Sequence, residues 1–124
     1  YKKDDGMNKK NIFFYNNKKI IKKNIKRLNL KSTNVFKAFF HNDIKVKIKK
    51  IKLCHIDVNT FSDTKNIFYW IEKRMIKGGI IIFDDYGIWG VDGIKKFIYM
   101  IEKKYNKRYY FIKNYMGQCI LIKK

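Results

Sequence analysis

The chain has 124 residues, with 30 Lys and Arg against 10 Asp and Glu, and 46% of its residues are hydrophobic. This length and composition allow the core of one domain at most. The sequence contains no secretory signal and no run of about 18 apolar residues, so we expect no membrane-spanning segment and take a soluble cytoplasmic protein as the default. Because it begins at Tyr1 with a lysine-rich stretch, we expect it to be a segment of a longer protein.

The formal net charge of +20 raises the hypothesis of a nucleic-acid-binding surface, because Lys and Arg neutralise phosphates. However, lysines occur in almost every segment, and Arg27, Arg74 and Arg108 are the only arginines. Lys, Asn, Ile, Phe and Tyr are enriched together while Pro is absent, which is typical of AT-rich codons. We therefore expect no specific nucleic-acid partner. A non-catalytic basic module that binds nucleic acid or another polyanion remains the alternative function.

The first elements are a helix and a short strand. Apolar residues at helical spacing predict a helix from Asn16 or Asn17 to Leu28. Val35 to Phe40, between two polar clusters, is then expected to form a strand.

The next elements form a β-α-β unit. Ile51 to Val58 is predicted to be a strand, and Ser62 or Asp63 is expected to cap the helix that follows. Gly78-Gly79 is expected to end that helix and lead into a strand over residues 80–83. Two strands joined in this way should be parallel, with a right-handed crossover.

A final helix and a hairpin follow. Asp92 is expected to cap the helix, and Tyr109 to Lys113 and Gln118 to Ile122 should pair as antiparallel strands, because their connection is short. Cys54 and Cys119 lie in separate apolar runs and are expected to be reduced, buried residues.

Carboxylates follow both strands of the predicted β-α-β unit. Ligands of open α/β sheets bind at the carboxyl ends of the strands, and neighbouring strands lie roughly 4.8 Å apart. Asp57, Asp84 and Asp85 should therefore converge and bind a divalent metal ion. Alternatively, Asp84-Asp85 forms only a solvated turn, or Asp57 caps a helix. His55 is either a structural strand residue or a general base.

These segments resemble a known family. His55 to Lys65 (HIDVNTFSDTK) and Gly78 to Gly87 (GGIIIFDDYG) resemble the C-terminal half of the macrocin O-methyltransferase (TylF-type) family, whose pattern is close to H-I-D-x-D-x-Y-x-x-T-K and P-G-G-x-x-x-x-D-D-Y-G. Lys23 to Leu30, Gly90 to Lys96 and Gly117 to Lys124 match further parts of it. The resemblance implies an α/β, Rossmann-like class I methyltransferase sheet that ends in an antiparallel hairpin. It also implies methyl transfer from S-adenosylmethionine to a sugar or other small-molecule hydroxyl.

By the same resemblance, Asp57, Asp84 and Asp85 would be ligands of Mg²⁺ or another divalent cation. Asp57 would also approach the amino-acid part of S-adenosylmethionine, and Ala38 and Phe39 would contact its adenine.

Two departures from the family pattern bear on activity. Asn59 stands where the family has an aspartate thought to act as general base, and an amide does not accept a proton at neutral pH. His55 is the second candidate for that role. The Gly-rich strand-turn-helix that cradles the cofactor has no counterpart here, so residues 1–124 are expected to be a partial, C-terminal methyltransferase domain. A decayed remnant of such an enzyme is the third possible function.

Overall fold

A computed structural model of the chain describes residues 17–36, 40, 46–114 and 117–124. They fall into two compact units, one with residues 17–36 and 40, and the other with residues 46–114 and 117–124. The helix α1 (Lys18–Arg27) belongs to the first unit. It begins after Asn17, whose side chain accepts a hydrogen bond from the Lys19 amide at 2.8 Å, close to the predicted boundary.

The strand expected from Val35 to Phe40 is not confirmed. Val35 and Phe36 lie in no regular element, and Phe40 has helical geometry. A short apolar run becomes a strand only when another strand pairs with it, and the described part of this unit contains none. Ala38 and Phe39, the expected adenine contacts, lie outside the described residues.

The second unit is a four-stranded sheet with two helices. Its elements are β1 (Ile51–Ile56), α2 (Phe61–Glu72), β2 (Met75–Tyr86), α3 (Asp92–Tyr105), β3 (Tyr109–Asn114) and β4 (Gly117–Lys123). The strand order is β1-β2-β4-β3. Strands β1 and β2 are parallel, whereas β4 runs antiparallel to both β2 and β3. The parallel pair joined by a helix and the antiparallel hairpin are confirmed.

The helix starts differ from those predicted. Thr60, and neither Ser62 nor Asp63, caps α2, because its Oγ1 accepts a hydrogen bond from the Asp63 amide at 3.0 Å. Thr60 Oγ1 also donates to Asp63 Oδ2 at 2.7 Å, so each residue anchors the other. Asp92 is the first residue of α3, after a cap residue that makes no side-chain hydrogen bond. It therefore contributes its charge to the first turn.

Gly78-Gly79 lies inside β2 and does not end a helix. The helix α2 has already ended at Glu72, and β2 begins at Met75. The register between β1 and β2 shifts here, since Ile51 pairs with Met75 but Leu53 pairs with Ile80. Gly78 has φ +72°, and a Cβ at Gly79 would clash with the Met75 side chain and lie 2.8 Å from the Ile76 carbonyl oxygen. The glycines allow this irregularity within the strand.

The core lies between the two helices and one face of the sheet. Phe68 of α2 is fully buried, and its ring packs against Phe83, Phe97, Tyr105 and Tyr109 with centroid distances of 5.4 to 6.4 Å. These residues come from both helices and from two strands. This aromatic cluster therefore fixes the helices against the sheet and, with them, the loops at the ends of β1 and β2.

The opposite face of the sheet is apolar and partly exposed. Leu53, Tyr110 and Ile112 on this face are 62%, 59% and 49% exposed. Two of the strand lysines, Lys113 and Lys123, lie on the helix-covered side, where Lys113 pairs with Glu102 at 2.6 Å. We call the exposed side the apolar face. Its strand positions are Leu53, His55, Ile80, Ile82, Asp84, Tyr110, Ile112, Asn114, Gln118, Ile120 and Ile122.

Both cysteines are free thiols, as expected. Burial raises the pKa of the Cys54 thiol to about 11 and that of Cys119 to about 12, so both are protonated near neutral pH. Cys119 is buried, whereas Cys54 is only partly so. None of the helices in the described residues is long and apolar enough to cross a membrane.

Candidate active site

The parallel pairing of β1 and β2 brings their carboxyl ends to one edge of the sheet. Ile56 pairs with Phe83, and the next residues along the two strands are Asp57 and Asp84. Asp57 is exposed, whereas Asp84 and Asp85 are half-buried. The predicted placement of these carboxylates at neighbouring strand ends is therefore observed.

A bulge in β2 sets the geometry of Asp84 and Asp85. Phe83 pairs with Cys119 and Tyr86 with Gly117, so β2 has one more residue here than β4. Asp85 takes up the bulge with a left-handed φ of +57°, which Asp tolerates better than most residues. Its amide donates to Asp84 Oδ1 at 3.1 Å. Bulges of this kind redirect side chains beside active sites.

His55 lies beside the second oxygen of the same carboxylate. His55 pairs with Ile82, two residues before Asp84, so both side chains are on the apolar face. The imidazole Nε2 is 3.1 Å from Asp84 Oδ2, and the His55 side chain is 48% exposed. The sequence left the role of His55 open. The structure assigns it a contact with Asp84, and a general-base role stays a prediction.

The charges of Asp57 and Asp84 act on the carboxyl group of Asp85. The pKa of Asp85 is raised, first by burial and then by the negative charges of Asp57 and Asp84. Several ionised carboxylates close together repel one another, and binding of a cation or a proton relieves this repulsion. The carboxyl ends of β1 and β2 therefore carry negatively charged side chains.

Comparison with known proteins identifies the family. The profile of the family Macrocin-O-methyltransferase (TylF) matches residues 1–108. The chain belongs to this family. A solved structure of the O-methyltransferase NovP superposes with a TM-score of 0.74 at 14% identity, over 86% of this chain and 45% of that one. The chain thus spans less than half the length of that structure. A search of curated proteins finds no match.

The methyltransferase-like α/β fold agrees with the pattern of the TylF family. The match covers both strand ends and the helix between them, so Asp57, Asp84 and Asp85 lie in the part of the chain that the family profile recognises. At 14% identity, the structural likeness supports the fold alone.

The carboxylates of Asp57, Asp84 and Asp85 are chemically suitable ligands for a divalent cation, but their side chains are not arranged around a common point. Mg²⁺ prefers carboxylate oxygens, and Asp57, Asp84 and Asp85 provide them. However, no three His, Cys, Asp or Glu side chains in the described parts of the chain are grouped closely enough to hold a metal ion. The predicted Mg²⁺ site is therefore not a preformed cage, and a cation would have to draw the carboxylates together.

Asn59 lies between β1 and α2 and is half-buried. It directly precedes Thr60, the cap of α2, so its backbone is close to a fixed helix end. The structure assigns it no contact that would replace the missing carboxylate. The predicted cofactor contact of Asp57 and the base position at Asn59 stay predictions.

Two features of the site were missed from the sequence. The spacing of Thr60 and Asp63 is a capping-box signal that could have located the start of α2. The contact between His55 and Asp84 had no local signal, because it depends on the register between two strands.

Proposed function

We propose that these residues act in an S-adenosylmethionine-dependent O-methyltransferase that methylates a hydroxyl of a sugar or another small molecule. The chain would form the carboxyl-terminal part of that domain. The observation that carries the proposal is the placement of Asp57, Asp84 and Asp85 at two neighbouring parallel strand ends, where burial and then the charges of Asp57 and Asp84 raise the pKa of Asp85. Membership of an O-methyltransferase family supplies the class of reaction.

Methyl transfer to a hydroxyl is a displacement. The new O–C bond forms as the C–S bond of the sulfonium breaks, and the hydroxyl proton has to leave. Catalysis of such a step consists mainly of holding both substrates in line and stabilising the developing negative charge on oxygen.

The carboxylates of Asp57, Asp84 and Asp85 are the residues that would hold a divalent cation here. When bound, such a cation supplies a positive charge that lowers the pKa of a hydroxyl beside it. His55 Nε2 lies 3.1 Å from Asp84 Oδ2 and the Asp85 amide donates to Oδ1, so both oxygens of this proposed ligand have a neighbour within the chain. Asn59 can orient a hydroxyl but cannot accept its proton at neutral pH.

Calorimetric titration of the full-length gene product with S-adenosylmethionine, with and without Mg²⁺, tests the proposal. We expect binding that strengthens in Mg²⁺ and that Asp84→Asn removes. Asp92→Asn is the matched control, because Asp92 is an exposed carboxylate at the start of α3, outside the site. Folded protein that binds neither the methyl donor nor a divalent cation would overturn the proposal.

A further inference from the structure

We infer that His55 is a positioning residue that fixes the orientation of the Asp84 carboxylate. The inference rests on the proposed function, in which Asp84 is a ligand. The contact between His55 of β1 and Asp84 of β2 depends on strand register, so it is not evident from the sequence alone.

The Asp84 carboxylate is held from two sides. The His55 imidazole of β1 places Nε2 3.1 Å from Oδ2, within hydrogen-bonding distance. The Asp85 amide of β2 donates to Oδ1 at 3.1 Å. One contact comes from a side chain of the neighbouring strand, and the other comes from a backbone amide at the bulge. The side chain therefore cannot rotate without breaking a contact.

The backbone around this carboxylate is itself fixed. Tyr86, the next residue after Asp85, is fully buried and pairs with Gly117 of β4. His55 is fixed in turn by its register with Ile82. Strand pairing therefore fixes the backbone of both residues that contact the Asp84 carboxylate.

A carboxylate that is already oriented loses less conformational freedom when it binds a ligand. Each carboxylate oxygen offers two lone pairs, so the contacts with His55 and Asp85 leave acceptor capacity on both. Residues that hydrogen-bond to a ligating group typically change metal affinity about 10- to 100-fold when they are removed. His55 would act in this way through Asp84, without touching the cation.

The test compares His55→Ala, which removes the donor, with His55→Gln, whose amide N–H can replace the donor. Leu53→Ala is the matched control, because Leu53 lies two residues earlier on the same face of β1 and is exposed. The first readout needs no cation. It is the chemical shift and hydrogen-exchange rate of the Asp85 amide, measured by NMR, because this N–H donates to Asp84 Oδ1.

We expect His55→Ala to shift the Asp85 amide resonance and to speed its exchange, while His55→Gln and Leu53→Ala leave it near the wild-type position. The second readout is the affinity for Mn²⁺ or Mg²⁺. We expect it to fall about 10-fold in His55→Ala and to recover in His55→Gln.

The two readouts separate the possible failures. An unchanged Asp85 amide in His55→Ala would overturn the inference, as would unchanged or tighter cation binding. If the wild-type protein binds no cation, the metal part of the proposed function is wrong, and the amide readout alone decides whether His55 holds Asp84.

Discussion

Asn59 stands where the resemblance to the family implies an aspartate. It replaces the carboxylate of the pattern with an amide, on a segment held by the Thr60 cap of α2. A positioned base typically contributes about 10² to 10⁴ in rate. If position 59 holds the base, as the resemblance implies, the change from Asp to Asn would lower the rate of methyl transfer by a similar factor.

We predict that Asn59→Asp raises the rate of methyl transfer to a true acceptor, because it restores a group that accepts a proton. Asp84→Ala or Asp85→Ala should nearly abolish transfer. The measurement is a single-turnover assay of the full-length protein with radiolabelled methyl donor. A brisk wild-type rate that Asn59→Asp slows would show that this position has another role.

Asp85 gives a prediction about stability and pH. Its folded pKa is raised by burial and by Asp57 and Asp84, so ionisation costs more in the folded than in the unfolded chain. The resulting destabilisation is present above the folded pKa and disappears as the pH falls below the unfolded value, which is about 3.9.

We therefore expect Asp85→Asn to raise the melting temperature at pH 7 and to have little effect at pH 3.5. Asn is a suitable replacement, since it also tolerates the left-handed φ of +57°. Melting curves of the wild type, Asp85→Asn and the control Asp92→Asn across this pH range test the prediction. An equal gain at both pH values would mean that charge repulsion is not the cause.

At the scale of elements, the hydrogen bonds that cap α2 fix the end of the loop between β1 and α2. Thr60 caps the helix and exchanges hydrogen bonds with Asp63, at 3.0 Å to its amide and 2.7 Å to its carboxylate. The loop that carries Asp57 and Asn59 is thus bounded by β1 on one side and by a fixed helix end on the other.

We predict that Thr60→Ala lowers the free energy of unfolding by about 0.5 to 2 kcal/mol, because it removes the acceptor of the Asp63 amide. Thr60→Ser keeps the hydroxyl and should lose much less. Urea denaturation followed by circular dichroism measures both. Equal losses would indicate that the Thr60 methyl group matters more than the hydrogen bonds.

Much of the order of elements could be predicted from local patterns. The helical spacing of apolar residues located α1, α2 and α3, and alternating or continuous apolar runs located the strands of the sheet. The boundary errors have physical causes. Gly78-Gly79 was taken as a helix stop, because glycine ends helices as readily as it permits an irregular strand.

At the scale of the whole molecule, where the formal net charge is +20, the strands of the second unit carry four lysines, which are Lys52, Lys77, Lys113 and Lys123. Lys113 and Lys123 lie on the helix-covered side, where Lys113 pairs with Glu102 at 2.6 Å and Lys123 donates to the Met75 carbonyl at 2.7 Å. The strand positions of the apolar face carry no Lys or Arg.

We predict that binding to DNA or RNA is weak and unspecific, because such binding by scattered lysines depends on counterion release. Fluorescence anisotropy with oligonucleotides of different sequence should show an affinity that falls steeply with salt and vanishes near physiological ionic strength. Tight, sequence-selective binding at that salt would instead favour the basic module.

The sequence by itself determined which carboxylates follow the two parallel strands. The apolar runs that end at Asp57 and at Asp84-Asp85, with a helix between them, required two parallel strands whose carboxyl ends meet. Apolar periodicity and chain connectivity are local properties, so they can be recognised without knowing the partner of each strand.

Only the tertiary structure decided how those residues are held. The insertion of β4 between β2 and β3, the bulge that gives Asp85 its left-handed backbone, and the contact of His55 with Asp84 all depend on strand register. Register is set by hydrogen bonds and packing between segments far apart in the chain, and a shift of one residue moves every side chain to the other face.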